Sequence, residues 1–370
     1  MKYREFGKTG CEVSCLGFGA MRLPLIDAGD ASSIDVESAV GMIRYAIDRG
    51  VNYVDTAFFY HNGESEKIVG RALKDGYREK TYLATKLPMG EVNAVEDFDR
   101  ILNTQLEKLD TDYIDFYLFH ALNAQRWETV KRLGLVDKMK KAKAEGKIRH
   151  FGFSFHDNPE VFTKIVDEYD GCEFCQIQLN YLDVDHQAGE DGLKYAYSKG
   201  LGVVIMEPVR GGMLAAPSSE VIAALPKDKT PVENAMSFIW DKKEVSLLLS
   251  GMSSFDQVKQ NIESADKFSP GGLTGDESRA FIEAKKIFDR STLIPCTGCE
   301  YCQPCPSGVP IPRIFAAYNT IDSGDMRTVR AAMPEIESEI DRCVKCGKCE
   351  EKCPQQIKII EQLRAINRRF

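Results

Sequence analysis

Eight of the chain's twelve cysteines lie near its carboxyl end in two regularly spaced groups. The first cysteine group is Cys296, Cys299, Cys302 and Cys305, followed by Pro306; the second is Cys343, Cys346, Cys349 and Cys353, followed by Pro354. Cysteine thiolates bind soft metals and iron–sulfur clusters. Thiolates at every third residue let one loop surround three corners of a cubane cluster. The fourth cysteine, next to a proline, then points toward a neighbouring cluster.

Two other uses of cysteine fit this spacing less well. Structural zinc sites usually take two pairs of cysteines separated by a long spacer, whereas each group here places four thiols within about ten residues. Disulfide frameworks need an oxidising compartment, and nothing in the sequence indicates one. We therefore interpret the two groups as the ligands of two [4Fe-4S] clusters.

The second group reads C-x2-C-x2-C-x3-C-P, the run found in bacterial ferredoxins, and the first is one residue shorter in its last step. Residues 293–370 therefore resemble a two-cluster ferredoxin. The resemblance implies crossed ligand sets. One cluster would be held by Cys296, Cys299, Cys302 and Cys353, and the other by Cys343, Cys346, Cys349 and Cys305.

Composition limits the classes of function. The chain has 370 residues, 43% of them hydrophobic, and a net charge of −8. The acidic balance argues against binding to nucleic acid or to an anionic membrane surface. We see no apolar run long enough to span a membrane and no signal-peptide core, and we expect a cytoplasmic protein. The remaining cysteines, among them the C-x2-C pair Cys172 and Cys175, are interpreted as small buried apolar side chains.

Strand and helix patterns alternate along most of the chain. A hairpin is predicted first, around Gly10. Eight apolar strands follow, each with a helix after it. The first runs into the glycine-rich stretch 17–21, and the others are predicted at 51–54, 81–85, 114–119, 148–153, 174–179, 201–206 and 245–249. Strands without polar alternation are typical of parallel sheets covered on both faces. Their number and spacing predict a (β/α)8 TIM barrel.

The barrel pattern ends before the cysteine groups, so we predict two domains, a barrel at 1–290 and a small, mainly helical ferredoxin-like iron–sulfur domain at 291–370. One long helix is expected at Trp127–Glu145. The connection Val209–Lys229 is long for a compact domain and is predicted to be a lid or mobile loop. Between the cysteine groups, helices are expected at Ile311–Ile321 and Met326–Glu337.

Active sites of such barrels lie where the strands end. The predicted strand ends carry Asp55 and Tyr60 after the second strand, Lys86 after the third and His120 after the fourth. Each residue alone has an ordinary explanation, such as a helix cap or a satisfied histidine. Together they supply a carboxylate, a phenol, an ammonium and an imidazole on three successive strand ends.

These residues carry a second resemblance. The string Val54–Ala57 with Tyr60–Glu66, then Ala84–Lys86 and Leu118–His120, resembles the signature of the aldo/keto reductases over about residues 1–270. The resemblance implies NAD(P)H-dependent reduction of an aldehyde or ketone, or the reverse oxidation of a small alcohol. Asp55, Tyr60, Lys86 and His120 would form the catalytic tetrad.

The expected roles follow from acid–base chemistry. A phenol with a pKa near ~10 gives up its proton reluctantly at neutral pH. A neighbouring ammonium favours the ionised phenol, so Lys86 would activate Tyr60 while Asp55 holds Lys86. Tyr60 would then protonate the carbonyl oxygen as hydride arrives, and His120 would orient the carbonyl.

The resemblance also implies a nicotinamide cofactor, NADP or NAD. The sequence does not identify the Arg or Lys that would bind the ribose 2′-phosphate of NADP. The cofactor's binding residues would be Gly19 and Met21 at the glycine-rich first strand end, Ser154 and Gln176 at the carboxamide, Pro208, Arg210 and Gly211 at the pyrophosphate, and Gly251, Ser253, Gln257 and Asn261 at the adenosine end. Lys259 is the nearest cation in sequence to that end.

Hydride carries two electrons, whereas each cluster accepts one, so direct exchange between them is not expected. A flavin can connect the two regimes. The family usually has Asn after Ser154, and Phe155 and His156 stand here instead, which leaves room for FMN in place of nicotinamide. Three hypotheses result: a carbonyl reductase with an appended ferredoxin module, an electron-transfer protein whose barrel binds FMN or docks a redox partner protein, and a non-enzymatic regulator. The tetrad argues against the third.

Overall fold

The computed structural model describes residues 1–27, 30–291, 294–319 and 336–369. The chain divides by packing into two compact units. The barrel unit is Met1–Pro208 with Ala235–Leu273, and the cluster unit is Val209–Asn234 with Thr274–Phe370. This division follows spatial proximity rather than independent folding, so the domain boundary after residue 290 stays a prediction.

The barrel unit contains the predicted hairpin and eight parallel strands that close on themselves, which confirms the (β/α)8 fold. The hairpin strands are β1 (Tyr3–Glu5) and β2 (Glu12–Ser14). The barrel strands are β3 (Leu16–Gly19), β4 (Tyr53–Asp55), β5 (Tyr82–Leu87), β6 (Ile114–Leu122), β7 (Ile148–Phe155), β8 (Phe174–Gln178), β9 (Gly202–Met206) and β10 (Leu247–Gly251). They pair in chain order, and β10 closes the barrel against β3.

Helices separate the strands. They are α1 (Val36–Asp48), α2 (Ser65–Ala72), α3 (Glu96–Leu109), α4 (Ala124–Arg132), α5 (Leu135–Ala144), α6 (Pro159–Glu168), α7 (Gly189–Ser198), α8 (Ser219–Ala224), α9 (Pro231–Trp240) and α10 (Phe255–Lys267). The single long helix expected at Trp127–Glu145 is wrong. Gly134 has a φ of +63° and separates α4 from α5, because a left-handed residue cannot continue a right-handed helix.

The amino ends of the barrel strands are closed by the hairpin. Phe6 is fully buried there and its ring contacts those of Tyr53, Phe116 and Phe174. These large rings fill the barrel axis, so the barrel is a packed core and not a pore. The reactive strand ends therefore lie at the opposite, carboxyl-terminal face.

The cluster unit is mainly helical in its described parts, as predicted. Its further helices are α11 (Gly275–Ser291), α12 (Ile311–Asn319), Lys348–Lys352 and Ile359–Arg369. The helix expected at Ile311–Ile321 is observed as far as Asn319. The helix expected at Met326–Glu337 lies outside the described residues, except for its last two positions. Isoleucines dominate the core of this unit, which includes Ile294, Ile311, Ile314, Ile340, Ile357 and Ile366.

The connection after β9 is more ordered than expected. It contains a 3-10 turn at Arg210–Ala215 and helix α8, which packs on α11 within the cluster unit. Lys229 forms an ion pair with Glu277 of α11. In the part of the chain that the structure describes, no helix is both long and apolar enough to cross a membrane.

Candidate active site and cluster ligands

The four predicted catalytic residues meet at the carboxyl ends of three adjacent strands. Asp55 ends β4, Lys86 lies near the end of β5, and His120 lies in β6. Lys86 Nζ lies 2.6 Å from Asp55 Oδ1 and 3.5 Å from the Tyr60 hydroxyl. The Tyr60 and His120 rings meet edge to face, with centroids 6.2 Å apart. Lys86 therefore stands between a carboxylate and a phenol.

Burial shapes the electrostatics of this group. Asp55 and Lys86 are at most 2% exposed, while Tyr60 and His120 keep 8% and 7% of their surface accessible. Burial raises the pKa of Asp55 and lowers that of Lys86, and the opposite charge of the partner offsets part of each shift. Burial and the nearby Lys86 ammonium hold the pKa of His120 well below its usual value. His120 is therefore a neutral imidazole, which can donate a hydrogen bond without carrying charge.

Tyr60 is held by a sharp turn. His61 and Asn62 have φ values of +53° and +54°, which are uncommon outside glycine. The His61 ring stabilises this turn by accepting from the Leu23 amide at 3.1 Å and donating from Nδ1 to the Ala31 carbonyl at 2.8 Å. Both ring nitrogens are thus engaged, and the strained backbone that presents Tyr60 is anchored to the segment after β3.

A buried polar layer behind Lys86 was missed from the sequence. Glu66 of α2 is fully buried and accepts from Thr85 Oγ1 at 2.7 Å and Gln105 Nε2 at 2.6 Å. Gln105 also contacts the Lys86 carbonyl at 3.1 Å and accepts from the Tyr117 hydroxyl at 2.7 Å. The sequence did carry a signal for this layer, because Glu66 is a carboxylate on the apolar face of a helix and such a group needs buried polar partners.

Two predicted carboxamide contacts are direct neighbours. Ser154 of β7 pairs in register with Gln176 of β8. Ser154 Oγ accepts from the Ala121 amide at 2.7 Å, at the point where the β6–β7 register shifts. Gln176 Oε1 is buried and finds no hydrogen-bond partner among the residues described. An orphaned amide oxygen beside a serine hydroxyl fits the carboxamide of a nicotinamide, which has both a donor and an acceptor.

The residues predicted for the adenosine end also converge. Gly19 and Gly251 pair in register, and Gln257, whose side chain accepts from the Ser253 amide at 2.7 Å, lies in the first turn of α10. Asn261 Nδ2 donates to Ser250 Oγ at 3.0 Å. Met21 lies beside them in the 3-10 turn after β3.

Arg22 is a cation at this position that the sequence reading missed. A side chain at Gly251 would meet the Arg22 stem at 3.2 Å, and Ser253 Oγ donates to the Arg22 carbonyl at 2.8 Å. The signal was available, because Arg22 is the first charged residue after the glycine-rich strand end. Lys259, which is nearer in sequence to this end, is an exposed side chain of α10.

The predicted pyrophosphate residues are divided between the units. Pro208 ends the barrel unit, and Arg210 and Gly211 belong to the cluster unit. The Arg210 guanidinium lies 4.9 Å from the Phe288 ring centroid. Gly211 has a φ of +63°, and a side chain there would lie 1.8 Å from the Thr297 carbonyl oxygen. Glycine is therefore required at 211 by both backbone conformation and packing.

The two residues after Ser154 are packed within the barrel unit. Phe155 is fully buried and its ring packs on Phe162 of α6, with centroids 5.1 Å apart. His156 Nδ1 lies 3.1 Å from Gln187 Oε1, and burial lowers its pKa to about 4.

The eight cluster-domain thiols line two cavities. One cavity, of about 180 Å³, is lined by Cys305, Cys343, Cys346 and Cys349, with Cys302 at its edge. The other, of about 20 Å³, is lined by Cys296, Cys299, Cys302 and Cys353. Apart from the shared Cys302, these are the crossed sets implied by the ferredoxin resemblance.

The donor chemistry fits iron–sulfur clusters. Burial and the neighbouring Cys299, Cys296 and Cys353 raise the pKa of Cys302 to about 12, so four thiolates can gather there only if bound cations compensate them. Within the described ranges, no three His, Cys, Asp or Glu side chains converge as ligands of a single metal ion.

Comparison with known proteins matches both parts. Residues 15–270 match the model of the aldo/keto reductase family, and residues 295–357 match that of a 4Fe-4S dicluster domain. L-galactose dehydrogenase from Arabidopsis thaliana is 28% identical over 77% of this chain and 96% of its own length. Aldo-keto reductase YhdN from Bacillus subtilis is 33% identical over 60% of this chain and 66% of its own.

A solved structure shows the same fold. The holo form of aldo-keto reductase AKR11C1 from Bacillus halodurans superposes with a TM-score of 0.65 at 27% identity, covering 77% of this chain and 96% of its own. The family match spans more than half of the chain, and relatives with dehydrogenase and reductase names mark it as an oxidoreductase. The chain belongs to the aldo/keto reductase family and carries a 4Fe-4S dicluster domain after the barrel.

Proposed function

We propose that this enzyme reduces a small aldehyde or ketone, or oxidises the corresponding alcohol, with a nicotinamide nucleotide as hydride carrier. The observation that carries the proposal is the position of Lys86, which is buried between Asp55 at 2.6 Å and the Tyr60 hydroxyl at 3.5 Å. An ammonium beside a phenol favours the phenolate and so assists proton release. Tyr60 is then the general acid that protonates the carbonyl oxygen.

Each residue of the tetrad has a separate task. Asp55 and the Thr56 carbonyl, 2.7 Å from Nζ, keep Lys86 charged and fixed in position. Neutral His120 donates a hydrogen bond to the substrate carbonyl and orients it toward Tyr60. The bound nicotinamide supplies hydride to the carbonyl carbon. The alkoxide that would form takes the Tyr60 proton, and Lys86 stabilises the phenolate that remains.

The cofactor would extend across the strand ends. Ser154 and Gln176, both in the barrel unit, would bind the carboxamide. Arg22 and the first turn of α10 would face the adenosine end, where a guanidinium suits a ribose 2′-phosphate. We therefore favour NADP over NAD. Tighter binding of NADH than of NADPH in a fluorescence titration would contradict this choice.

The decisive variant is Tyr60→Phe, which removes only the proton-donating hydroxyl. We expect kcat for carbonyl reduction to fall by about 10²–10⁴-fold, the usual contribution of a general acid. Binding of the nicotinamide nucleotide, measured by fluorescence quenching, is expected to stay unchanged. Tyr113→Phe is a matched control, because Tyr113 lies outside the tetrad in the turn before β6. Near-normal turnover in Tyr60→Phe would refute the tetrad mechanism.

We also propose that the two clusters transfer single electrons to an external redox partner protein. Direct exchange with a hydride donor would need a carrier that handles both one and two electrons. The comparisons give no support to FMN in this chain, and Phe155 and His156 are packed rather than open. The clusters and the nicotinamide therefore serve separate steps unless a partner connects them.

An anaerobic titration tests the separation. NADPH alone is expected to leave the visible absorbance of the clusters unchanged, while addition of a flavoprotein reductase bleaches it. The control is the same titration with dithionite, which reduces accessible clusters directly. Rapid bleaching by NADPH alone would show an internal path and would contradict the proposal.

A further inference from the structure

One cysteine of the barrel unit lies in a different environment from the others. Burial raises the pKa of the enclosed Cys15 and Cys175 thiols, and Cys172 Sγ contacts the Phe174 carbonyl at 3.4 Å. Cys11 is only half-buried, in the turn between β1 and β2. Its Sγ lies 3.6 Å from His150 Nε2, within reach of a sulfur hydrogen bond.

His150 is oriented by a carboxylate. Its Nδ1 lies 2.7 Å from Glu173 Oε1, the residue directly before β8. A carboxylate only accepts hydrogen bonds, so Nδ1 carries a proton, and in the neutral imidazole the Nε2 lone pair then faces the Cys11 thiol. Glu173 is itself fixed by Lys143 at 2.8 Å and by the Phe151 amide at 3.3 Å. Nucleophile, base and orienting acid are thus connected in one line.

The surroundings preserve this line. The His150 ring stacks on Phe116, with centroids 5.1 Å apart and planes at 22°, so the imidazole cannot rotate freely. Cys11 and Tyr82, the first residue of β5, pack against the same apolar core as Phe116. These residues come from the hairpin and from the starts of β5, β7 and β8. The group of Cys11, His150 and Glu173 therefore lies at the amino-terminal face of the barrel, opposite the tetrad.

We propose that Cys11 is a thiol–disulfide exchange site activated by His150 and Glu173, with low-molecular-weight disulfides of the glutathione class as its co-reactants. His150 accepts the thiol proton, and the Cys11 sulfur attacks one sulfur of the disulfide. A mixed disulfide forms at Cys11, the bond between the two small-molecule sulfurs breaks, and one thiolate leaves, taking the electron pair and then a proton. Cys11 is oxidised and the leaving sulfur is reduced.

The test is the rate of mixed-disulfide formation at each cysteine. Anaerobically prepared holoenzyme is incubated with oxidised glutathione at pH 7, quenched with acid and mapped by peptide mass spectrometry. We expect Cys11 to react about tenfold faster than Cys15, Cys172 or Cys175. Only a few per cent of an ordinary thiol is ionised at pH 7, so a base that removes the thiol proton can raise the reaction rate by about this factor of ten.

Substitutions separate activation from mere exposure. His150→Phe keeps the stacking on Phe116 and is expected to slow mixed-disulfide formation at Cys11 about tenfold. Glu173→Gln is expected to slow the same reaction by a smaller factor. Glu168→Gln makes the same chemical change at a carboxylate that binds Trp127 and is expected to leave the rate unchanged. Folding is checked by tryptophan fluorescence and cluster absorbance.

Two outcomes would overturn the proposal. One is a Cys11 rate no faster than that of the other three cysteines. The other is an unchanged Cys11 rate in His150→Phe. If that variant does not fold, Glu173→Gln decides the same question, because an unaffected rate would show that the imidazole orientation is irrelevant to the thiol.

Discussion

The barrel unit and the cluster unit organise their reactive side chains by different means. In the barrel unit, the buried ammonium of Lys86 is compensated by Asp55 and by a backbone carbonyl, all from the chain itself. In the cluster unit, the thiols line two cavities, and burial with neighbouring thiols raises the pKa of Cys302 to about 12. The barrel site is therefore complete in electrostatic terms, whereas gathering thiolates in the cluster unit depends on added cations.

The largest effect should follow from removing a crossed cluster ligand. Cys353→Ser is expected to remove at least half of the iron, because the crossed sets make Cys353 and Cys305 pin both ends of the segment between the cysteine groups. Iron and sulfide content and the EPR signal of the reduced protein measure the loss.

Cys172→Ser makes the same chemical change in the barrel unit and is expected to keep all of the iron. Full iron content in Cys353→Ser would mean that this thiol is not a ligand. If Cys353→Ser lost the native tryptophan fluorescence of the barrel unit together with its clusters, the proposed difference between the two units would be contradicted.

The next effect concerns the buried ion pair. Lys86→Met leaves Asp55 charged and unpaired, and we expect the free energy of unfolding of the barrel unit to fall by about 3–5 kcal/mol. Both tryptophans, Trp127 and Trp240, lie in this unit, so urea unfolding followed by tryptophan fluorescence reports on it.

A matched surface pair supplies the control for Lys86→Met. Lys140 and Asp170 are also 2.6 Å apart but largely exposed, and Lys140→Met is expected to leave the free energy of unfolding almost unchanged because water screens the pair. Adding Asp55→Asn to Lys86→Met should restore part of the stability without restoring carbonyl reduction. Equal losses for the two single lysine variants would contradict the role of burial.

A smaller effect tests whether the segment after β9 belongs with the clusters. Gly211 and Gly212 both have positive φ, but only a side chain at 211 meets the Thr297 carbonyl, between Cys296 and Cys299. Alanine at either position costs about 1–2 kcal/mol of backbone strain, and Gly211→Ala adds the clash. We expect thermal loss of cluster absorbance at a lower temperature in Gly211→Ala than in Gly212→Ala. Identical transition temperatures in the two variants would mean that this segment does not support the cluster ligands.

The last effect is a dependence of barrel stability on pH. Burial lowers the pKa of His120 and His156, so between about pH 4 and the ordinary value of 6.5 the unfolded chain binds more protons than the folded one. Stability should therefore fall as pH decreases through this window, by about 1 kcal/mol per pH unit for each histidine. Urea unfolding at pH 7.5 and 5 measures it, and His156→Gln should reduce the slope. A slope of the opposite sign would contradict the buried neutral imidazoles.

Several features were readable because their signals are local. Apolar strands at regular spacing predicted the barrel, and the spacing of eight cysteines predicted the iron–sulfur domain. The candidate catalytic residues Asp55, Lys86 and His120 could be proposed because they lie at predicted strand ends in the sequence. The long helix at Trp127–Glu145 failed because one glycine with positive φ outweighs a continuous apolar period.

Other features depend on contacts between residues far apart in the chain. Arg22 reaches Gly251, Glu66 supports Lys86 through Gln105, and Cys11 meets His150, and none of these pairings has a sequence period.

The sequence by itself determined the kinds of chemistry in this protein, because metal-ligand spacing and strand-end residues are properties of the covalent chain. Only the tertiary structure decided which charges are compensated and which thiol faces an imidazole. Those outcomes depend on burial and on distances of a few ångströms across neighbouring strands, which spacing along the chain does not contain.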